Sequence, residues 1–117
     1  MGYIREYPSG RRIMEIDSDS IKDYPSGRTE YQIDSRAVRD YPSGRIIYQF
    51  DGDYINEYPS GRHLRQYDGR YLKEYPSGRN LLQVDSSGIC EYPSGRKIFD
   101  IEGYVPTHGI LAFLMTY

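Results

Sequence analysis

The sequence contains no tryptophan, a single cysteine and two histidines in 117 residues. Because Cys90 is alone, an intramolecular disulfide and a cysteine-rich metal site are excluded, and a reducing compartment is favoured. His63 and His108 lie far apart and have no acidic neighbours at the spacing of metal ligands. We therefore expect a cytoplasmic protein without a metal centre or a cofactor.

Long apolar runs and an excess of one charge are also missing. The longest apolar stretch, residues 110–115, is far shorter than the roughly 20 residues that a membrane-spanning helix needs, and residues 1–6 do not have the pattern of a signal peptide. The 15 basic and 17 acidic residues are mixed along the chain and leave a net charge of −2. No strong field attracts nucleic acid or an anionic membrane, so we expect neither as a partner.

What the sequence has in abundance is tyrosine, with 14 residues, and internal repetition. The segment Tyr-Pro-Ser-Gly-Arg occurs six times at a constant interval of 17 residues. The copies are Tyr7–Arg11, Tyr24–Arg28, Tyr41–Arg45, Tyr58–Arg62, Tyr75–Arg79 and Tyr92–Arg96. We call this segment the motif and number each unit from its Arg as position 1, so that the next motif Tyr is position 14.

Each unit has the pattern of a β-hairpin. Positions 6 and 11 are apolar or aromatic, and pairs such as Asp51-Gly52 suit a two-residue hairpin turn, which would pair position 6 with position 9. The motif suits a three-residue loop around a type I turn, which would pair its Tyr with its Arg. The sequence thus predicts an all-β fold, an antiparallel meander of about twelve short strands over residues 1–104.

A β-solenoid with one 17-residue coil per turn is the alternative. Solenoid coils stack their strands in parallel, whereas Pro-Ser-Gly and Asp-Gly are typical of antiparallel hairpins. The turn chemistry therefore favours the meander.

One face of the predicted sheet is apolar and collects positions 4, 6 and 11. Such a face cannot stay in water, so the C-terminal segment 105–117, a second copy, or curling into a barrel or sandwich must cover it. We predict that this segment is an apolar cap, either a two-turn helix or a buried strand. Because it is too short to cover an open sheet, we predict a homodimer. The residues predicted for self-association are Tyr31, Ile33, Tyr48, Phe50, Ile55, Tyr67 and Leu72.

The opposite face carries the motif Tyr and Arg side chains, which we expect to lie across from each other in cation–π contact. Aromatic rings beside guanidinium groups can stack on sugars and contact carboxylates or phosphates. This face is the candidate site for another protein, a glycan or a small ligand. Its residues are Tyr24, Arg28, Tyr41, Arg45, Tyr58, Arg62, Tyr75 and Arg79.

No arrangement of residues indicates catalysis. The motif Ser has no neighbouring His and does not lie in a Gly-x-Ser-x-Gly segment. An active site needs different residues that converge once, whereas this chain repeats one constellation six times. We therefore expect a protein that is not an enzyme.

The motif with its following residues, Tyr-Pro-Ser-Gly-Arg-x-Ile/Leu, resembles two known kernels. One is the Tyr-x-x-x-Gly-Arg-Leu of Rhs-type YD repeats, and the other is the Tyr-Pro-Asn-Gly-Lys-Leu of bacterial MORN-variant repeats. The resemblance spans residues 3 to about 104 and implies serial β-hairpins with a scaffold or binding role, towards proteins or lipid headgroups. We expect a scaffold or protein–protein interaction module, with a carbohydrate- or small-ligand-binding protein as the alternative.

Overall fold

The computed structural model describes residues 2–117 as twelve antiparallel strands and one helix. The strands are β1 (Gly2–Glu6), β2 (Arg12–Ile16), β3 (Ser20–Asp23), β4 (Thr29–Ile33), β5 (Ala37–Asp40), β6 (Ile46–Asp51), β7 (Tyr54–Glu57), β8 (His63–Tyr67), β9 (Tyr71–Glu74), β10 (Asn80–Val84), β11 (Gly88–Glu91) and β12 (Lys97–Gly103), and the helix is α1 (Thr107–Thr116). Each strand pairs with the next, and β1 pairs with β12, so the sheet closes into a barrel. The predicted antiparallel meander is confirmed. Of the ways considered for covering its apolar face, the sheet curls into a barrel. The molecule is wide and shallow, 38 × 36 × 17 Å.

The barrel closes because β1 completes the sixth hairpin. In the continuous β6–β7 hairpin, position 6 pairs with position 11, as Phe50 with Ile55. At the closure, Ile101 of β12 at position 6 pairs with Ile4 of β1, which occupies position 11. The barrel therefore consists of six equivalent hairpins, of which the last combines the first and last strands of the chain.

The six motif loops all lie at one edge of the barrel, which we call the loop rim, and the two-residue turns lie at the opposite edge, the turn rim. In the first motif loop the Glu6 N–H donates to the Arg11 carbonyl at 2.8 Å, and the Gly10 N–H donates to the Glu6 carbonyl at 2.9 Å. The loop thus has four residues between paired positions 13 and 1, with a cis Tyr–Pro bond in all six copies. The predicted three-residue loop that pairs Tyr with Arg is wrong.

The predicted register at the turn rim is also wrong, by two residues. Position 6 pairs with position 11 and not with position 9, because the turn uses positions 8 and 9. The acidic side chain at position 7 caps this turn instead of forming its corner: Asp34 Oδ1 accepts the N–H groups of Arg36 and Ala37 at 2.7 and 2.9 Å. A shift of two residues preserves which side chains share a face, so positions 4, 6 and 11 share the inner face as predicted. A β-bulge around position 3 interrupts the alternation beyond position 4, and Ile13 at position 3 is buried in the core.

Apolar side chains at positions 4, 6 and 11 supply most of the barrel's contribution to the core, with Arg65 the charged exception at position 4. Position 11 is at most 4% exposed in all six hairpins: Ile4, Ile21, Val38, Ile55, Leu72 and Ile89. This buried belt is continuous around the barrel because the closure repeats the register of the other hairpins.

The C-terminal segment forms helix α1, which lies inside the barrel. The helix begins directly after Pro106, a favoured residue at a helix start. Residues 109–113 are consecutively buried, so the helix contacts the wall on several sides. A Cβ on Gly109 would lie 2.8 Å from Cγ2 of Ile16, and the Phe113 ring meets Phe99 edge-on at 5.2 Å. Within residues 2–117, no helix is long and apolar enough to cross a membrane.

The residues predicted for self-association line the inside of the barrel, and this prediction is corrected. Ile33, Ile55 and Leu72 are buried, while the aromatic members, Tyr31, Tyr48, Phe50 and Tyr67, are half-buried against the same core. Closure of the sheet around one helix covers the face that an open sheet would have left to a second copy. Homodimerisation through another surface stays a prediction.

Candidate functional site

The loop rim collects the candidate Tyr and Arg residues. Tyr24, Tyr41, Tyr58 and Tyr75, with Arg28, Arg45, Arg62 and Arg79, belong to four consecutive motif loops at this rim. The motif Ser has a structural role there, because its Oγ accepts the N–H of the motif Arg at 3.2 to 3.3 Å in all six loops. The motif Gly has φ between 75° and 77°, a conformation that favours glycine.

Five of the six motif Arg side chains pair with carboxylates, and among the described residues none of the six lies over a Tyr ring. The exception is Arg45, whose side chain makes no hydrogen bond or ion pair within residues 2–117. Four of the six bind the acidic residue at position 13 of their own loop: Arg11 with Glu6, Arg62 with Glu57, Arg79 with Glu74 and Arg96 with Glu91, at 3.0 to 3.6 Å. In the described part of the chain, guanidinium groups over Tyr rings belong to Arg12 and Arg70, so the predicted stacking of motif Arg on motif Tyr is wrong. The four-residue loop places position 1 opposite position 13. The Arg side chain therefore lies beside the carboxylate of the same loop and can form an ion pair with it.

The aromatic partners of the motif Tyr come from position 10 of the preceding unit. The edge-on pairs are Tyr3 with Tyr24, Tyr54 with Tyr75 and Tyr71 with Tyr92, at centroid distances of 5.5 to 5.8 Å. A strand lies between the two tyrosines of each pair. In two of the pairs, the position 2 side chain of that strand also contacts a Tyr ring, and we call each such group a cluster. The Arg12 guanidinium lies 4.0 Å from the Tyr3 ring centroid, and the His63 ring stacks on Tyr54 at 3.9 Å.

Sequence reasoning missed these clusters. The available signal was a Tyr at position 10 in three units. Because the predicted register was wrong by two residues, the contact between this Tyr and a motif Tyr on the far side of the intervening strand was not foreseen.

A bidentate ion pair holds the first cluster in place. Arg12 donates from Nη2 and Nε to the two carboxylate oxygens of Glu102, at 2.6 and 3.0 Å. These bonds raise the pKa of Arg12 and lower the pKa of Glu102. Since Glu102 lies on β12, the pair also ties the closing strand to β2 across β1.

Three motif tyrosines, Tyr7, Tyr41 and Tyr58, have no ring partner among residues 2–117. Tyr7 lies beside a cation instead, with Lys97 Nζ 5.7 Å from its ring centroid. Tyr41 and Tyr58 are 46% and 40% exposed, and the position 10 residues that precede them are Ser20 and Ala37. Within residues 2–117, neither side chain makes a hydrogen bond or a ring contact. Their exposure is therefore not explained by packing within the chain.

Grooves run between the motif Tyr-Pro and the strand that leads away from the preceding loop. One groove of about 610 Å³ is lined by Arg11, Arg12, Tyr24 and Pro25, among others. The equivalent groove two repeat units further along the chain is smaller. It measures about 530 Å³ and is lined by Arg45, Ile47, Tyr58 and Pro59, among others. The loop rim thus offers a repeated concave surface with an aromatic ring on one side and a cation on the other.

The turn rim carries a set of carboxylates held in their ionised form. The N–H groups of Tyr71 and Arg70, together with Lys73, lower the pKa of Asp68 to about 2. The Ser87 hydroxyl and the turn N–H groups lower the pKa of Asp85. These carboxylates occupy the same repeat position, so ionised side chains stabilise several turns at once.

We expect the protein to lose stability in acid through these turns. A folded-state pKa of about 2 for Asp68 lies below the unfolded value of about 3.9. Its contribution is therefore present above about pH 4 and lost as the pH falls towards 2. The exposed carboxylate contributes about 1 kcal/mol at neutral pH once solvent screening is allowed for. Asp68→Asn should remove this amount, measured by urea denaturation at pH 7 and at pH 2.5.

The matched control for this prediction is Asp51→Asn, at the same repeat position. Within residues 2–117, the Asp51 side chain makes no hydrogen bond or ion pair, so this variant should keep the wild-type pH dependence. An Asp68→Asn variant with an unchanged acid loss would contradict the capping role.

In the described part of the chain, no three His, Cys, Asp or Glu side chains come together in a way that could hold a metal ion. No protein-family model, curated protein or solved structure matches this chain. The site is therefore interpreted from its own geometry.

Proposed function

We propose that this chain is a non-catalytic binding module that contacts another protein through its loop rim. The observation that carries the proposal is that Tyr41 and Tyr58, 46% and 40% exposed, have no ring, cation or hydrogen-bond partner among residues 2–117. Both rings lie in loops whose Ser and Gly have a structural role. In the Tyr41 loop, the Arg45 side chain also makes no hydrogen bond or ion pair within the described residues. An exposed aromatic ring with no ring or hydrogen-bond partner in the chain is a group available to a partner.

The chemistry of the rim favours a protein as that partner. Tyr and Arg are enriched among the residues that contribute most to protein–protein affinity, and the grooves place both at the same site. Because four of the six motif Arg charges are paired with position 13 carboxylates and Arg28 is paired with Glu30, the rim does not present the excess of positive charge that nucleic-acid binding requires. Six equivalent loops also allow several weak contacts to add up in one complex.

The grooves also support a second function, the binding of a carbohydrate or another small ligand. Their volumes of about 530 and 610 Å³ lie in the range of small-molecule sites, and a Tyr ring can stack on a sugar. The same experiment distinguishes the two functions.

The test is selection of a displayed random-peptide library on the full-length protein, in parallel with a glycan array. We expect peptides to be enriched, and we expect the double variant Tyr41→Ala with Tyr58→Ala to weaken the selected peptides about 30-fold, the effect of losing about 2 kcal/mol of contact. Affinity is measured by calorimetry, and folding of the variant by circular dichroism.

The control is Tyr104→Ala, which removes a ring that is 73% exposed and lies away from the loop rim. Equal losses in the double variant and the control would contradict the proposal. Glycan binding that depends on Tyr41 and Tyr58, without peptide enrichment, would favour the second function instead.

A further inference from the structure

Helix α1 fills the barrel unevenly. On one side it packs closely, with Gly109 placed so that a Cβ would lie 2.8 Å from Ile16 and 3.5 Å from Ile33. On another part of the wall, the position 6 residues are the larger Phe50 and Tyr67, and both remain half-buried. A crevice lies between the helix and this part of the wall, formed by β6 to β8.

This crevice has the size and lining of a small-molecule site. It measures about 430 Å³, and its apolar lining includes Phe50, Ile55, Tyr67 and Leu111. Residues of the turns, among them Asp53, surround its mouth at the turn rim. Its lining is mixed, because Ser35, Asp68 and Thr107 contribute polar groups beside the apolar side chains. Known ligand sites have volumes in this range and combine apolar and polar groups, and the mouths of β-barrels often hold them.

The polar groups at the mouth favour a positive charge. Asp68 is already engaged, by the turn N–H groups and by Lys73 at 3.2 Å. Asp53 is different: within residues 2–117 its carboxylate makes no hydrogen bond or ion pair. Among the described residues, no Lys or Arg lines the crevice, and its one basic side chain, His108, has Nε2 3.2 Å from the carbonyl oxygen of Ser18. The faces of aromatic rings also attract cations.

We propose that this crevice binds a small amphipathic cation. Its apolar or aromatic body would lie against Phe50, Tyr67 and Leu111, and its charged group would meet the carboxylate of Asp53. The site opens at the turn rim, so it is separate from the loop rim and does not depend on the protein-binding function proposed above.

The first experiment uses two fluorescent aromatic dyes of opposite charge on the full-length protein, thioflavin T as the cation and 1-anilinonaphthalene-8-sulfonate as the anion. We expect saturable binding of thioflavin T at one site, at least about five-fold tighter than that of the anionic dye. Absence of saturable thioflavin T binding, or equal affinity for both dyes, would overturn the proposal.

Two pairs of variants locate the bound dye. Ser35→Trp places a large side chain at the mouth of the crevice and should abolish thioflavin T binding. Ser18→Trp changes the same repeat position outside the crevice and should not. Asp53→Asn should weaken the cationic dye about five-fold, whereas Asp51→Asn should leave its affinity unchanged. Equal behaviour within either pair would place the dye elsewhere and reject the site.

Discussion

Replacement of Ile4 by alanine is expected to destabilise the protein by about 3 kcal/mol. The Ile4 side chain is fully buried, and its strand supplies the second half of the sixth hairpin, where it pairs with Ile101 on one side and with Met14 on the other. Truncation of a buried isoleucine to alanine costs about 2 to 5 kcal/mol, because apolar contacts are lost and a cavity remains. Equilibrium urea denaturation followed by Tyr fluorescence measures the loss.

The Ile4 prediction also concerns closure, which a matched pair of variants can isolate. Ile55→Ala removes the equivalent side chain from a continuous hairpin, where a turn still connects the two strands. We expect similar losses of stability, but only Ile4→Ala should speed hydrogen exchange at the amides of β12. If Ile4→Ala cost less than about 1 kcal/mol, β1 would not belong to the cooperative barrel.

Phe113→Ala is expected to cost about 4 kcal/mol, the largest effect of a single substitution in α1. Phe113 is the largest fully buried side chain of the protein's described residues, and its ring contacts Phe99 at 5.2 Å and Tyr117 at 4.9 Å. Buried phenylalanine to alanine substitutions cost about 3 to 5 kcal/mol, and a barrel of short strands around one helix has little else to fill the space. Urea denaturation at neutral pH measures the effect.

Leu114→Ala is the control for this prediction, because Leu114 is the next residue of the same helix and is only half-buried. It should cost clearly less than Phe113→Ala. Equal, small losses in both variants would mean that α1 is not part of the barrel core.

The alternation of side chains in each unit was sufficient to predict the strands and the inner face. Apolar residues at positions 6 and 11, such as Phe50 and Ile55, mark that face in every repeat, and an error of two residues in register leaves it unchanged. For this reason the core was predicted correctly although both turns were not. The error at the turn rim arose because an aspartate can form the corner of a turn or cap it, and the local sequence is compatible with both.

Closure was not predictable from a single unit. The pairing of Ile4 with Ile101 joins strands at opposite ends of the sequence, and each unit has the same local signals whether the array ends open or joins itself. The aromatic clusters at the loop rim, such as Tyr54 with His63 and Tyr75, and the crevice beside α1 depend on three-dimensional neighbours. Both therefore had to come from the structure.

The closed barrel has a consequence for how such a chain can change in length. An open array can gain or lose a unit at its end, since each unit contacts only its neighbours. In a ring, a seventh hairpin would enlarge the circumference everywhere and move the wall away from the central helix. Helix α1 of ten residues is therefore matched to a ring of six hairpins, and duplication of one unit would have to be accompanied by a bulkier helix.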